Sequence, residues 1–444
     1  MRLIWLFLIF HFPIYIYAQS DTSNWDLKRC ISFGLQNNRN RTIYYNKKQE
    51  ADAKAQELLA GYLPSVSLNG SLDDNLKLQE TVIPAGAFSP TDIKIAMSKQ
   101  FAMNTTAQLD QTIFDKSLLV GLKANKLNKQ QADLNVRLSE ETIIYNISKS
   151  YYQIKVYREQ LYLLNSNLEN YIKQVDISQL QVNKGVLLQK ELDKVSVDRN
   201  NTISKIRVAQ SNLELSINQL KYDMGYPFDD TISLDTTTEI VGVIGKTASN
   251  VSDTPSFFLQ NITDYKIDEI TMKADKINAE KIKAQMYPKL TAYAKYGTVG
   301  FGDYLGQTFQ GTSPFAGVGL KLSFPILDFY KRNAQYKQAK FQSMNSMEQL
   351  KLNADKYRLD YKNAYNKMDQ EQGNVIMDKN NIQLAESVLA TTNLQYQKGV
   401  TDMTDWINAQ NSLKEAQTNY LNSLYNYLMA KVDMEKSAGT LIKN

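Results

Sequence analysis

Two different periods divide this chain. From Trp25 to Leu59, Leu27, Ile31 and Leu35 recur at four-residue steps, which predicts helix as far as Pro64. Beyond Pro64 the period drops to two. Val66, Leu68, Leu72, Leu76 and Leu78 hold one parity, and Ser65, Ser67, Asn69, Ser71 and Asp73 hold the other. Such alternation predicts a strand over 65–78 with one oily and one wet face. A turn-rich loop from Pro84 to Pro90 leads to a second alternating run, 98–114. There Phe101, Met103, Ala107, Leu109 and Ile113 oppose Asn104, Thr106, Gln108 and Asp110. After Asp115 the helical period returns and reaches Asn183 without a proline. Ile147, Ile154, Leu161, Leu168, Val175 and Val182 fall seven residues apart along it. A sustained heptad predicts coiled-coil packing, and at 1.5 Å per residue the helix is about 100 Å long.

The pattern then repeats. Leu180-Gln181-Val182-Asn183-Lys184-Gly185-Val186 reads against Leu394-Gln395-Tyr396-Gln397-Lys398-Gly399-Val400, from position 185 to position 399, an offset of 214 residues. Each copy closes a long helical run and is followed by another, about Leu188–Gly225 and about Thr401–Gly439. Glycine supplies the positive φ that ends a helix, so 183–186 and 397–400 are predicted tips of antiparallel hairpins. The second half also opens with a helix (about 257–286). It continues through Tyr287-Pro288 into a strand at 289–297, a glycine-rich loop from Gly297 to Thr312 and a strand at 314–327. Tyr361, Met368, Val375, Ile382, Leu389 and Tyr396 are the first heptad moved by 214 residues. An internal duplication is the reading: a first repeat at 19–226, a Thr-, Asp- and Ser-rich linker at 227–256 containing Ile240–Ile244, and a second repeat at 257–444. The fold class is mixed, mainly α with β, with long helical hairpins and four amphipathic strands.

Composition narrows the chemistry. Leu3 to Ala18 is apolar, follows Arg2 and ends on a small residue, which reads as a signal peptide, 1–18. The only histidine, His11, lies inside it, and Cys30 is the only cysteine. Disulfides, Ser-His-Asp or Cys-His catalysis and histidine metal sites are thereby excluded from the expected mature chain. The net charge of +5 is scattered rather than clustered, unlike a nucleic-acid footprint. No catalytic residue, metal or cofactor is expected. An elongated coiled-coil adaptor or structural protein of the envelope is the alternative; it accounts for the heptads but not for the four strands bracketed by Pro64 and Pro288.

The order of helix, strand pair, long hairpin and linker, then the same again, resembles the TolC-type outer-membrane efflux channel family. The tips Gln181–Gly185 and Gln395–Gly399, the corners ending at Asp115 and Asp328, and Ser437-Ala438-Gly439-Thr440-Leu441 carry the resemblance over nearly the whole chain. The resemblance implies a homotrimer with a twelve-stranded barrel in outer-membrane lipid and a helical tunnel through the periplasm. It also implies a passive conduit served by an inner-membrane transporter and a periplasmic adaptor, with drug or small-molecule efflux favoured over protein secretion. Lys184, Gly185, Val186, Lys398, Gly399 and Val400 would dock the adaptor. Asp405 and Asn408, with Tyr396, Asp402 and the first-repeat counterpart Glu191, would form the periplasmic aperture. Thr401 stands where the family carries a basic residue, and Lys190 is the nearest substitute. The plainer role for Thr401, Asp402 and Asp405 is to cap a helix.

Overall fold

A computed structural model describes residues 24–86, 90–96, 98–235 and 257–442. The expected signal peptide and Ile240–Ile244 lie outside them. The helix expected from Trp25 to Leu59 is two helices, α1 (Leu27–Asn37) and α2 (Arg39–Ala60). Asn38 breaks it: its backbone is extended and its side chain accepts the Asn40 N–H at 2.8 Å, an N-cap role that asparagine fills well.

Among the described residues six strands follow in chain order: β1 (Ser65–Asp74), β2 (Glu80–Ile83), β3 (Ile93–Ala96), β4 (Phe101–Phe114), β5 (Lys289–Gly302) and β6 (Thr312–Ser323). The main sheet has the order β1-β4-β5-β6, antiparallel throughout, so β4 and β5 join the two repeats. The small β2–β3 ribbon, between β1 and β4, was not foreseen. Several predicted bounds need correction. β1 stops at Asp74 rather than reaching 78, because Asn75 turns and donates through its backbone and side chain to the carbonyls of Gln100 and Lys99. Leu76, 92% exposed, and Leu78 follow the strand. β4 begins at Phe101 rather than 98, and β6 spans 312–323 rather than 314–327, ending just before Phe324-Pro325. Gly297 to Gly302, expected as loop, belongs to β5. Glycine there serves close approach rather than turning, since a Cβ on Gly297 would lie 2.5 Å from the Thr105 carbonyl oxygen.

The register sorts the side chains. Successive neighbours Val66, Leu109, Ala294 and Val318 form one row, and Leu68, Ala107, Tyr296 and Ala316 another. The alternate rows are Ser67, Gln108, Lys295 and Gly317, then Ser65, Asp110, Tyr293 and Gly319. Because side chains alternate across a sheet, most aliphatic residues of the four strands share one face, while Tyr293, Val299 and Phe315 lie on the other. Val66, Leu68, Val318, Leu320 and Leu322 on that face are exposed.

The remaining helices are α3 (Lys116–Asn183), α4 (Gln189–Met224), α5 (Thr263–Ala284), α6 (Lys331–Gln397) and α7 (Met403–Ser437), with a helical turn at Gln307–Gln310 between β5 and β6. The heptad positions of α3 and α6 are buried or half-buried, with Ile147, Ile154 and Val375 fully so. The chain forms two compact units. One comprises Met1–Asn37, Asn146–Thr254 and Asn374–Tyr425 and holds both tips. The other comprises Asn38–Tyr145, Pro255–Gly373 and Asn426–Asn444 and holds the sheet. Each unit draws on both repeats. Within the first, Ser233–Asp235 pairs with Trp25, whose amide donates to Ser233 at 2.8 Å and whose carbonyl accepts from Asp235 at 2.9 Å. Within the second, α2 lies along α3 with ion pairs Arg41–Glu140, Lys48–Asp133 and Lys129–Asp52. Asp268 of α5 accepts from Asn353 and Tyr357 of α6.

Gly297→Ala forces a methyl against backbone and should cost about 1–3 kcal/mol. Gly317→Ala, where the nearest atom is the flexible Lys295 Cε at 3.4 Å, should be near neutral. Thermal loss of the β signal in detergent compares them.

Candidate functional site

The two tips are built alike. Gly185 and Gly399 both hold φ +70°. The Gly185 N–H donates to Val182 at 2.9 Å and the Val186 N–H to Gln181 at 2.9 Å; Gly399 donates to Tyr396 at 3.0 Å and Val400 to Gln395 at 2.9 Å. This is the Schellman closure, in which a left-handed residue lets the chain turn back and satisfy the last carbonyls of the helix. The same closure ends α4 at Gly225 and α7 at Gly439. No heavy atom stands within 4 Å of a Cβ placed on either tip glycine. Lys184, Val186, Lys398 and Val400 are exposed, so each tip offers the same Lys-Gly-Val to its surroundings.

Behind the second tip, Tyr396 is buried and its hydroxyl donates to the Gln181 side chain at 2.6 Å, tying α6 to α3. Burial pushes the phenol above its usual range; bonds to Ser178, Gln181 and Gln174 pull it back, and the Glu191 charge adds to the rise. At the start of α7, the Asp402 carboxylate accepts the Asp405 N–H at 3.0 Å, the bond of an N-cap. The Thr401 hydroxyl donates to the Asp405 carboxylate. Asp405 and Asn408 are exposed. The capping role weighed for Asp402 is therefore present, and the Asp405 carboxylate is held locally as well. Glu191 occupies the matching position in the first repeat, but its helix begins at Leu188, which has no side-chain acceptor. Glu191 pairs instead with Lys194 at 3.1 Å and Lys190 at 3.9 Å. Lys190 thus serves its own hairpin, and Thr401 takes up Asp405.

Beneath the tips, Trp406 is 1% exposed, sets its ring edge-on to Tyr171 with centroids 5.8 Å apart, and donates its indole N–H to Asn393 at 2.9 Å. Val195, Leu389, Met403, Ala409 and Leu413 complete this core. A line of buried amides runs beside it. Asn167 donates to Gln417 at 2.6 Å and accepts from Gln410 at 3.2 Å, while Gln174 donates to Ser178 at 3.4 Å. The heptad reading missed this line. The signal was present: Asn167, Gln174 and Gln181 are seven apart on α3, and Gln410 and Gln417 on α7. A polar recess of about 340 Å³ opens alongside, lined by Asn170, Lys173, Gln174, Asn393, Trp406 and Gln410. Among the described residues, no group of three or more His, Cys, Asp or Glu could hold a metal, and no helix is long and apolar enough to cross a membrane.

Comparison with known proteins agrees with this architecture. Residues 269–440 match the family model for outer membrane efflux proteins. Outer membrane protein TolC of Escherichia coli (strain K12) is 21% identical over 370 residues, covering 77% of this chain and 70% of TolC. Over most of its length the chain is similar to the TolC-type outer membrane efflux proteins. Among solved structures, the outer membrane protein VceC of Vibrio cholerae superposes with a TM-score of 0.73 at 16% identity, covering 93% of this chain and 96% of VceC. The CmeC outer membrane channel of Campylobacter jejuni gives 0.73 at 14%, covering 93% and 85%. These two establish a shared fold. The curated relatives that the chain matches are outer membrane proteins.

Trp406→Ala should cost about 3–5 kcal/mol, the usual effect of emptying a core aromatic site. Asp402→Ala should cost about 1 kcal/mol through the lost cap. Asp405→Asn, which keeps an acceptor for Thr401, should cost less than either. Denaturant melts followed by the helical signal rank the three.

Proposed function

We propose that this protein is the passive outer-membrane conduit of a tripartite export system and acts as a homotrimer. One observation carries the reading: a four-stranded sheet whose aliphatic side chains lie mostly on one exposed face and whose end strands, β1 and β6, each have a neighbour on one side only. Hydrocarbon tolerates no open strand edge, and a barrel needs about eight strands or more. Three copies would supply twelve and close it. The hairpins of the three copies would then form the periplasmic tunnel. An inner-membrane transporter would deliver cargo, and a periplasmic adaptor would grip the tips at Lys184–Val186 and Lys398–Val400. The family's description as efflux proteins supports drug or small-molecule cargo over polypeptides. Homology to channel proteins supports a role without catalysis.

Asp405, with Asp402, Asn408, Tyr396 and Glu191, is the proposed aperture. Asp405 is exposed and fixed by Thr401, so three symmetry copies would set three carboxylates around one axis. Tyr396 would hold the helices together behind them. Such a ring favours cations and restrains water in a narrow pore.

Mass measurement of the detergent-solubilised protein should give three chains; a monodisperse monomer with an intact β signal would rule out the trimer. Leu320→Lys should impair membrane insertion by about 2–4 kcal/mol if that face meets lipid, whereas Ser71→Lys on the wet face should be mild. Equal tolerance of both would contradict the assignment.

In single-channel recordings, Asp405→Asn should reduce cation preference and Asn408→Asp increase it. Wild-type selectivity in both would leave Asp405 as a helix-start residue only.

A further inference from the structure

Helical spacing gives the polar recess beneath the tips the same chemistry on each of its walls. Asn170, Lys173 and Gln174 on α3 lie three and four residues apart, Asn393 and Gln397 on α6 four apart, and Trp406 and Gln410 on α7 four apart. Residues so spaced share one helix face, and the recess of about 340 Å³ therefore meets amides from all three helices. At its floor one demand is unmet. Gln410 is fully buried and commits its side-chain N–H to Asn167 at 3.2 Å, and Asn167 donates in turn to Gln417 at 2.6 Å. Reversing the Gln410 amide would set its oxygen against the Asn167 oxygen, so the ladder fixes which atom is left over. That atom is the Gln410 side-chain oxygen, which accepts no hydrogen bond among the described residues. Gln410 lines the recess and Asn167 does not, so the nitrogen end of the amide points away from the recess and the oxygen end toward it. A buried carbonyl without a donor is costly, and it calls for one from outside the chain.

Two charges frame the same opening. Lys173 and Asp176 both line it and both are exposed. They stand three apart on α3, yet no ion pair among the described residues joins them. An inorganic cation would be repelled by Lys173, and a simple anion by Asp176 and the Gln410 oxygen. A ligand that carries both charges, with hydrogens on its cation, answers all three groups at once.

We propose that this recess binds a free α-amino acid with a polar side chain. Its ammonium donates to the Gln410 oxygen and to Asp176, its carboxylate meets Lys173, and the amides of Asn393 and Gln397 remain for its side chain. The ammonium must be primary, because the buried oxygen needs an N–H and a quaternary nitrogen has none. The walls all belong to one compact unit of one chain, so the site depends on neither the trimer nor the lipid reading. Saturation-transfer NMR of L-glutamine with the detergent-solubilised protein tests it. L-Glutamine should receive saturation from the protein. Glutaramate, the same molecule without the ammonium, should not, and neither should N-trimethylated glutamine, which keeps the charge but has no ammonium N–H. Gln410→Leu should weaken binding about tenfold or more, the scale of a hydrogen bond to a charged group. Lys173→Gln and Asp176→Asn, on the exposed rim, should each weaken it by up to about fivefold. The two rim variants disturb no buried contact, so they decide the matter even if Gln410→Leu fails to fold. Absence of transfer to L-glutamine overturns the proposal. Equal transfer to the trimethylated form overturns the contact with Gln410, and unchanged affinity in both rim variants overturns the assignment of a doubly charged ligand.

Discussion

A backbone amide in hydrocarbon has no water to turn to, so every N–H and C=O of a membrane-embedded strand needs another strand. That constraint organises this molecule. The sheet satisfies it internally between β1 and β4, β4 and β5, and β5 and β6, and leaves it open on the outer sides of β1 and β6. With the oily face in lipid, as proposed, the two open edges would call for further strands. In the proposed trimer identical chains would supply them, since a β1 edge that fitted β6 of the next copy would fit every copy in turn. The same closure would draw the hairpins into a ring.

How much of this was legible beforehand differs by element. The long helices were legible nearly to the residue, because Lys116–Asn183 contains no proline and its heptad is unbroken. The tips were legible because one glycine in one conformation ends each. The strands were recognised as strands, but their ends were not. Leu76 keeps the parity of β1 although the chain has already turned at Asn75, and periodicity cannot register that event. The glycines from 297 to 302 imitate a loop, while their real reason is the nearness of Thr105 and Thr308 across the structure, which no local pattern carries. The break at Asn38 was readable in principle, since asparagine is a favoured N-cap residue, but the apolar spacing on either side concealed it.

The candidate aperture shows the same division. The family resemblance picked out Asp402, Asp405, Asn408, Tyr396 and Glu191, and the structure supplies partners for Asp402, Asp405, Tyr396 and Glu191. Tyr396 finds Gln181 on another helix, a contact that depends on the facing of two long helices and so escaped the sequence. Asp402 and Asp405 find theirs within four residues. Capping and pore lining are compatible here: the cap and Thr401 fix where the Asp405 carboxylate stands, as a ring of charges would require. The buried amides from Asn167 to Gln417 add a second kind of specificity. Leucines slide past one another at little penalty, whereas an Asn167–Gln417 bond exists in one register only.

The pairing of β4 with β5 has a consequence for how the protein comes to exist. Phe101 is bonded across to Gly302, and Phe114 to Leu290, so the centre of the sheet joins residues separated by the whole first hairpin. Loop closure over such a span is entropically costly, and sheets assembled from distant segments form slowly. The β1–β4 pair is therefore made well before β5 and keeps its oily face uncovered until the second repeat follows. During that interval it is the most aggregation-prone part of the chain. The α3–α4 hairpin closes through a local turn at Gly185 and lies wholly within the first repeat, so it can begin to form meanwhile, ahead of the sheet.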